Sequence, residues 1–243
     1  MAERPEIGDM PRYDGLRAVV VNCTLKPSPA LSHTDGLMSV VSDIMKTAGC
    51  SVETIRAVDH VIAPGVQPDM TEHGASRDDW PDLAHKILEA DILVLGTPIW
   101  LGEPSSVCRR VIERLYALSG WKNDKGQSIY YGKAAGVVIT GNEDGVKHCA
   151  SGMLYALGHL GYMVPPQADA GWIGEIGPGP SYCDEGSGAG SHPFTQRNAT
   201  ILAWNMMHTA NMLKQAGGLP NYGNDRDAFD DGASFGHPNP EYR

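Results

Sequence analysis

Three places where an apolar run gives way to small and polar residues carry the chemistry of this chain. The first, residues 95–106 (LGTPIWLGEPSS), follows the run Ile92-Leu93-Val94 and reads as a loop holding a tryptophan and two prolines. Ordinary connections are short and polar, with little reason for such residues. Pro98 fixes the backbone and Gly102 allows close approach. Trp100, between Ile99 and Leu101, can lie against a flat ring, at ~0.5–1.5 kcal/mol beyond area burial, or pack on a neighbouring loop or subunit.

The second place, residues 24–34 (TLKPSPALSHT), offers hydroxyls at Thr24, Ser28, Ser32 and Thr34, a cation at Lys26, and His33 beside the start of a helix. Free N–H groups and the positive end of the helix dipole favour a phosphate there. Ser32 and Asp35 also have the spacing of a plain helix cap. The third, Thr140-Gly141-Asn142-Glu143-Asp144-Gly145, can present backbone N–H groups and one amide to the edge of a heterocycle, or form a turn with Asp144 capping the next helix.

Other chemistries find less support. Neither a G-x-G-x-x-G run nor a triphosphate-binding G-x-x-x-x-G-K-[ST] loop is present. No Ser-His-Asp arrangement or carboxylate pair calls for hydrolysis. His148 stands where it could assist protonation, but a lone histidine there reads first as a solvated helix residue. The cysteines Cys23, Cys50, Cys108, Cys149 and Cys183 are scattered without a C-x-x-C pair. They read as reduced thiols, with no zinc or iron–sulfur site, and Cys23, at a strand end, is the one to watch for reactivity.

Strands and helices alternate to position these residues. Strands are predicted at 17–23, 51–56, 91–96 and 133–140, with a short one near 162–164 or a little later. Helices are predicted at 34–48, 80–90, 105–119, 144–160 and 196–216. The pattern gives an α/β fold, a doubly wound five-stranded parallel sheet with helices on both faces. Ligands of such sheets collect at the carboxyl ends of the strands, where all three places fall. Residues 59–79 and 171–191 read as long irregular excursions, and 217–243 as a tail with almost nothing to pack, mobile or laid across a neighbouring surface.

The 243 residues, 42% of them hydrophobic, suffice for one large core. A net charge of −10 argues against nucleic acid and anionic membranes as partners. The charged N-terminus has no apolar signal-peptide core, and no apolar run approaches the ~18 residues of a membrane span, so cytoplasmic residence is the expectation.

The combination NCTLKPS…SHT, GTPIWLGEPSS, VVITGNEDG and GPGPSY resembles the flavodoxin-like NAD(P)H-dependent FMN reductases, from about residue 16 to 216. The resemblance implies a flavodoxin-like FMN-binding domain at 16–216, between an extension at 1–15 and an irregular tail at 217–243. It implies FMN phosphate on Thr24, Lys26, Ser32, His33 and Thr34. The ring would lie against Pro98, Ile99, Trp100, Leu101 and Gly102, its pyrimidine edge would meet Thr140, Gly141, Asn142, Glu143 and Gly145, and Tyr182 would approach from a loop. Lys26 stands where many relatives have arginine, a point charge in place of a bidentate fork. The cysteine run of iron–sulfur members is missing. The activity implied is hydride transfer from NADH or NADPH through FMN to a quinone, flavin or similar small acceptor; the alternative is a flavodoxin-type electron carrier without NAD(P)H activity. A homo-oligomer is expected, since the aromatic loop, the glycine-rich arm and the tail are easier to stabilise against a second subunit.

Overall fold

The computed structural model describes residues 8–177 and 179–237. Residues 1–7 of the expected extension, Pro178 of the GPGPSY segment and residues 238–243 of the expected tail lie outside the described residues. Strands β1 (Arg17–Asn22), β2 (Ser51–Arg56), β3 (Ile92–Trp100), β5 (Ala134–Gly141) and β6 (Asp169–Ile173) form a parallel sheet in the order β2-β1-β3-β5-β6. The chain steps from β1 outward to β2, then crosses back to β3 on the other side of β1. The strand order therefore reverses between β1 and β3, and the carboxyl ends there open a crevice.

Alternate side chains of each strand feed two apolar layers. Val19 and Val21 face α2 (Trp80–Glu89), α3 (Ser106–Tyr116) and α4 (Val146–Leu160); Ala18 and Val20 face α1 (His33–Thr47) and α5 (Pro193–Gln215). Near-continuous β-branched runs belong in strands covered on both faces, as here. Within the segment preceding β1, Tyr13 is buried in the second layer beside Trp204 and His208.

Three local expectations need correction. The 95–106 stretch is not a loop: β3 continues through Trp100 and turns back as an antiparallel sixth strand, β4 (Glu103–Pro104). Proline is tolerated at position 98 because β1 stops pairing at Asn22↔Gly96, leaving a neighbour only on the β5 side, opposite Thr140. The last strand comes late: Met163 makes one bridge to Ala134, and β6 starts at Asp169, so the 171–191 stretch opens as strand. The cap of α4 is Gly145, at φ 107, and not Asp144. Residues 217–237, none of them buried, lie across the chain's own 119–127 turn, the second of the two arrangements expected of the tail. There α6 (Arg226–Asp230) pairs Asp227 with Lys122, and the Gln127 amide reaches the Leu219 and Pro220 carbonyls.

The 59–79 excursion is irregular, as expected, but it is pinned by a buried ion pair. Asp78 Oδ2 accepts from Arg114 Nη2 at 2.7 Å, with both side chains fully buried. Asp78 also accepts the N–H groups of Ala63, Met70 and Trp80 at 3.0–3.2 Å.

Candidate functional site

The carboxyl ends of β1, β3 and β5 enclose a cleft of about 630 Å³, the size of a small-molecule site. Its construction begins in the turns. The Ser105 N–H donates to Thr97 Oγ1 at 2.9 Å, and its hydroxyl donates to the Cys23 carbonyl at 2.7 Å, tying the exit of β1 to the start of α3. At the first wall, Asn22 Oδ1 accepts the Thr24 N–H, and the Thr24 hydroxyl accepts the Lys26 N–H. Ser28 is engaged elsewhere, giving its N–H and hydroxyl to Asp59, which these bonds hold below the usual carboxylate range. Arg56 braces the same loop through the Ala30 carbonyl at 2.8 Å.

Of the five residues expected around a phosphate, Thr24, Lys26 and His33 line the cleft. Ser32 is buried and caps α1, accepting the Asp35 N–H at 3.1 Å. The buried Thr34 hydroxyl bonds the Thr140 hydroxyl at 2.9 Å, coupling α1 to the end of β5. His33 Nδ1 accepts the Cys183 N–H at 3.2 Å, which leaves the neutral ring with its proton on Nε2. Hydroxyl, ammonium and imidazole N–H thus gather beside the start of α1, whose first N–H groups have no intrahelical acceptor, with the half-exposed Asp184 carboxylate 4.0 Å from His33 Nε2. This end of the cleft suits an anion.

Pro98, Ile99 and Trp100 form an apolar wall opposite. Leu101, at φ 53, and Gly102, at φ 77, make the two-residue turn into β4 and stand off the cleft, Leu101 being 92% exposed. Such a turn needs positive φ at both positions, which Leu101 adopts under strain. Gly145 is also off the cleft: a Cβ there would lie 2.9 Å from Gly102 Cα, so glycine at position 145 lets the turn and the β5–α4 junction touch. Gly145→Ala is expected to destabilise the fold by about 1–3 kcal/mol. An unchanged urea midpoint contradicts the contact.

The third wall holds Thr140, Gly141, Asn142 and Glu143. The Asn142 amide is turned away from any heterocycle edge. Its Nδ2 lies 3.2–3.3 Å from the carbonyls of Glu175, Gly179 and Pro180, and its Oδ1 accepts the Ser181 hydroxyl at 2.8 Å. It fastens the loop that roofs the cleft. Tyr182 lines the site from that loop, buried edge-on against Trp172, with Gln196 donating to its hydroxyl. The loop can seat on α1 only because position 36 is glycine; a Cβ there would overlap Cys183 Sγ. His148, its side chain 70% exposed, bonds Glu103 at 3.1 Å and is a solvated helix residue outside the lining.

Leu25, Ile176, Gly177 and Ser181 also line the cleft and were not singled out from sequence. Three of them fall within or beside the GPGPSY segment, where the sequence points to Tyr182 alone. The reactivity expected of Cys23 does not fit its surroundings, since it is fully buried. Hydrogen bonding with Cys108 and burial hold its thiol well above the ordinary value. Cys183 is the exposed thiol. Labelling native protein with a maleimide is expected to modify Cys183 and spare Cys23; labelling of Cys23 contradicts this.

Residues 16–172 match the sequence profile of the family described as NADPH-dependent FMN reductase. The chain is 38% identical over 205 residues to 8-demethyl-8-aminoriboflavin-5'-phosphate synthase of Streptomyces davaonensis, covering 82% of this chain and 79% of the relative. The crystal structure of RosB with bound intermediate 8-demethyl-8-formylriboflavin-5'-phosphate superposes with a TM-score of 0.78 at 37% identity, covering 88% of this chain and 84% of that one. The chain is also 63% identical over 204 residues to the divalent metal cation transporter MntH of Mycobacterium bovis, a match over 84% of this chain that spans 30% of that protein's length. Among the described residues no helix is long and apolar enough to cross a membrane, and no group of three or more His, Cys, Asp or Glu could hold a metal ion.

Proposed function

Because the chain belongs to the NADPH-dependent FMN reductase family, we propose that the cleft binds FMN and that the protein passes hydride from NADH or NADPH through it to a small acceptor such as a quinone or flavin. The carrying observation is a single cleft with an anion-binding end and a flat apolar wall at the reversal of strand order. Thr24, Lys26 and His33 bind the phosphate. Pro98, Ile99 and Trp100 orient the ring, while Tyr182 and Ile176 exclude water from it. The bound FMN supplies the hydride and electron transfer, and the protein supplies orientation. A homo-oligomer belongs to the same proposal; a monomer mass at micromolar concentration contradicts it.

A second reading makes FMN the substrate that is chemically altered. The 38% identity to the aminoriboflavin-phosphate synthase, matched over 79% of its length, favours it. The metal transporter's activity is not carried over, since the match spans 30% of that protein.

Anaerobic mixing of the FMN-loaded protein with NADPH or NADH tests the first reading. Rapid bleaching of the flavin, followed by turnover with a quinone, is expected. Absent bleaching with either nucleotide contradicts it and leaves the electron-carrier reading. A changed flavin mass after incubation with amino donors supports the second. A protein that leaves FMN fluorescence and absorbance unchanged contradicts all three.

A further inference from the structure

Leu101 is an aliphatic residue in the left-handed region, which L side chains rarely adopt, and at 92% exposure little packing offsets the strain. One hydrogen bond holds the turn at this point. The Leu101 N–H donates to Glu143 Oε2 at 2.6 Å, across 42 residues of sequence. The turn sets the direction in which β3 ends, and its last residue is Trp100, part of the apolar wall of the cleft. The backbone ladder flanks the turn, pairing Trp100 with Glu103 and Ile99 with Pro104, and leaves the Leu101 N–H to Glu143. The side-chain and glycine contacts of the hairpin act one residue or more further on. Gly102 abuts Gly145, and Glu103 pairs with Arg109 and His148, both exposed and screened by solvent. Neither reaches Leu101.

We propose that Glu143 is a positioning residue for the flavin ring: its carboxylate locks the strained turn at Leu101 and so keeps the Pro98–Trp100 wall set before a ligand arrives. Glu143 lines the same cleft, so a ring seated against the wall shields this bond from water and strengthens it. The inference rests on the reading that FMN lies on that wall, but the clamp itself does not need the ligand.

Amide exchange in the ligand-free protein tests the clamp. Leu101 is expected to be protected in the native chain, unprotected in Glu143→Ala, and largely protected in Glu143→Gln, which keeps an acceptor oxygen. FMN titration tests the consequence. Glu143→Ala is expected to weaken FMN about tenfold, the scale of one lost charge-assisted bond. Adding Leu101→Gly, which removes the conformational strain, is expected to restore most of that affinity. The proposal is overturned if Leu101 exchange does not respond to Glu143→Ala. It is also overturned if Glu143→Gln weakens FMN as much as Glu143→Ala, or if Leu101→Gly gives no rescue, since either result makes Glu143 a direct contact of the ring. Should the native chain bind no FMN, the functional reading fails and with it the ring-positioning role, while the exchange data still decide the clamp.

Discussion

Asp78→Ala is expected to lower the free energy of unfolding by about 3–5 kcal/mol, the cost of leaving one partner of a buried pair alone. The change strands the Arg114 guanidinium, which lies at 0% exposure against the aromatic face of Trp80. Burial already pulls its pKa below the usual arginine value, against the opposing pull of Asp78. Three backbone donors, at Ala63, Met70 and Trp80, lose their acceptor as well. The loss extends toward the cleft, because Asp59, at the start of the same excursion, holds Ser28 in the loop after β1. Weaker FMN binding is therefore expected alongside the fall in stability. Pairing Asp78→Ala with Arg114→Met, which removes the stranded charge, should recover part of the stability. A shift in urea midpoint worth less than about 1 kcal/mol, at unchanged slope, contradicts the assignment.

Lys26→Ala combined with His33→Ala is expected to weaken FMN by about 1.5–3 kcal/mol for each charge-assisted bond removed, or roughly ten- to a hundredfold apiece. Riboflavin, which has no phosphate, should lose much less affinity than FMN, keeping only the smaller loss that comes from loosening the roof loop. That contrast separates phosphate recognition from general damage to the cleft. Equal losses for both ligands would mean general damage to the cleft and contradict phosphate recognition by Lys26 and His33. His33 carries a second consequence: its Nδ1 takes the Cys183 N–H, so the substitution also loosens the roof loop. His33→Asn, with a polar group at the same site, is then expected to fall between the native chain and His33→Ala.

The alternation of strands and helices was legible because both periodicities are strong here. The run 17–23 is apolar at nearly every position, and the helix beginning at His33 repeats Leu37, Val41 and Met45 along one buried face. The convergence of the three strand ends followed from topology. What failed were features set by contacts distant in sequence. A proline at position 98 argues locally against a strand, and only the early end of β1 makes it tolerable. Arg114 sits among apolar residues of α3 because Asp78, 36 residues away in an irregular stretch, meets it there. Ser32 takes the local cap that its spacing to Asp35 also allowed, whereas the partner of Thr34, the Thr140 hydroxyl, lies 106 residues away. Nothing local to Gly36 marks it, because the residues that rest on it, Tyr182 and Cys183, come from a loop about 146 residues further along the chain.

The most direct test of the central claim is a crystal structure of the chain grown with saturating FMN. The expected density puts the phosphate within hydrogen-bond distance of the Thr24 hydroxyl, Lys26 Nζ and His33 Nε2, and the flat ring along Pro98, Ile99 and Trp100 beneath Tyr182. Flavin density at any other place, or a cleft holding only solvent, contradicts it.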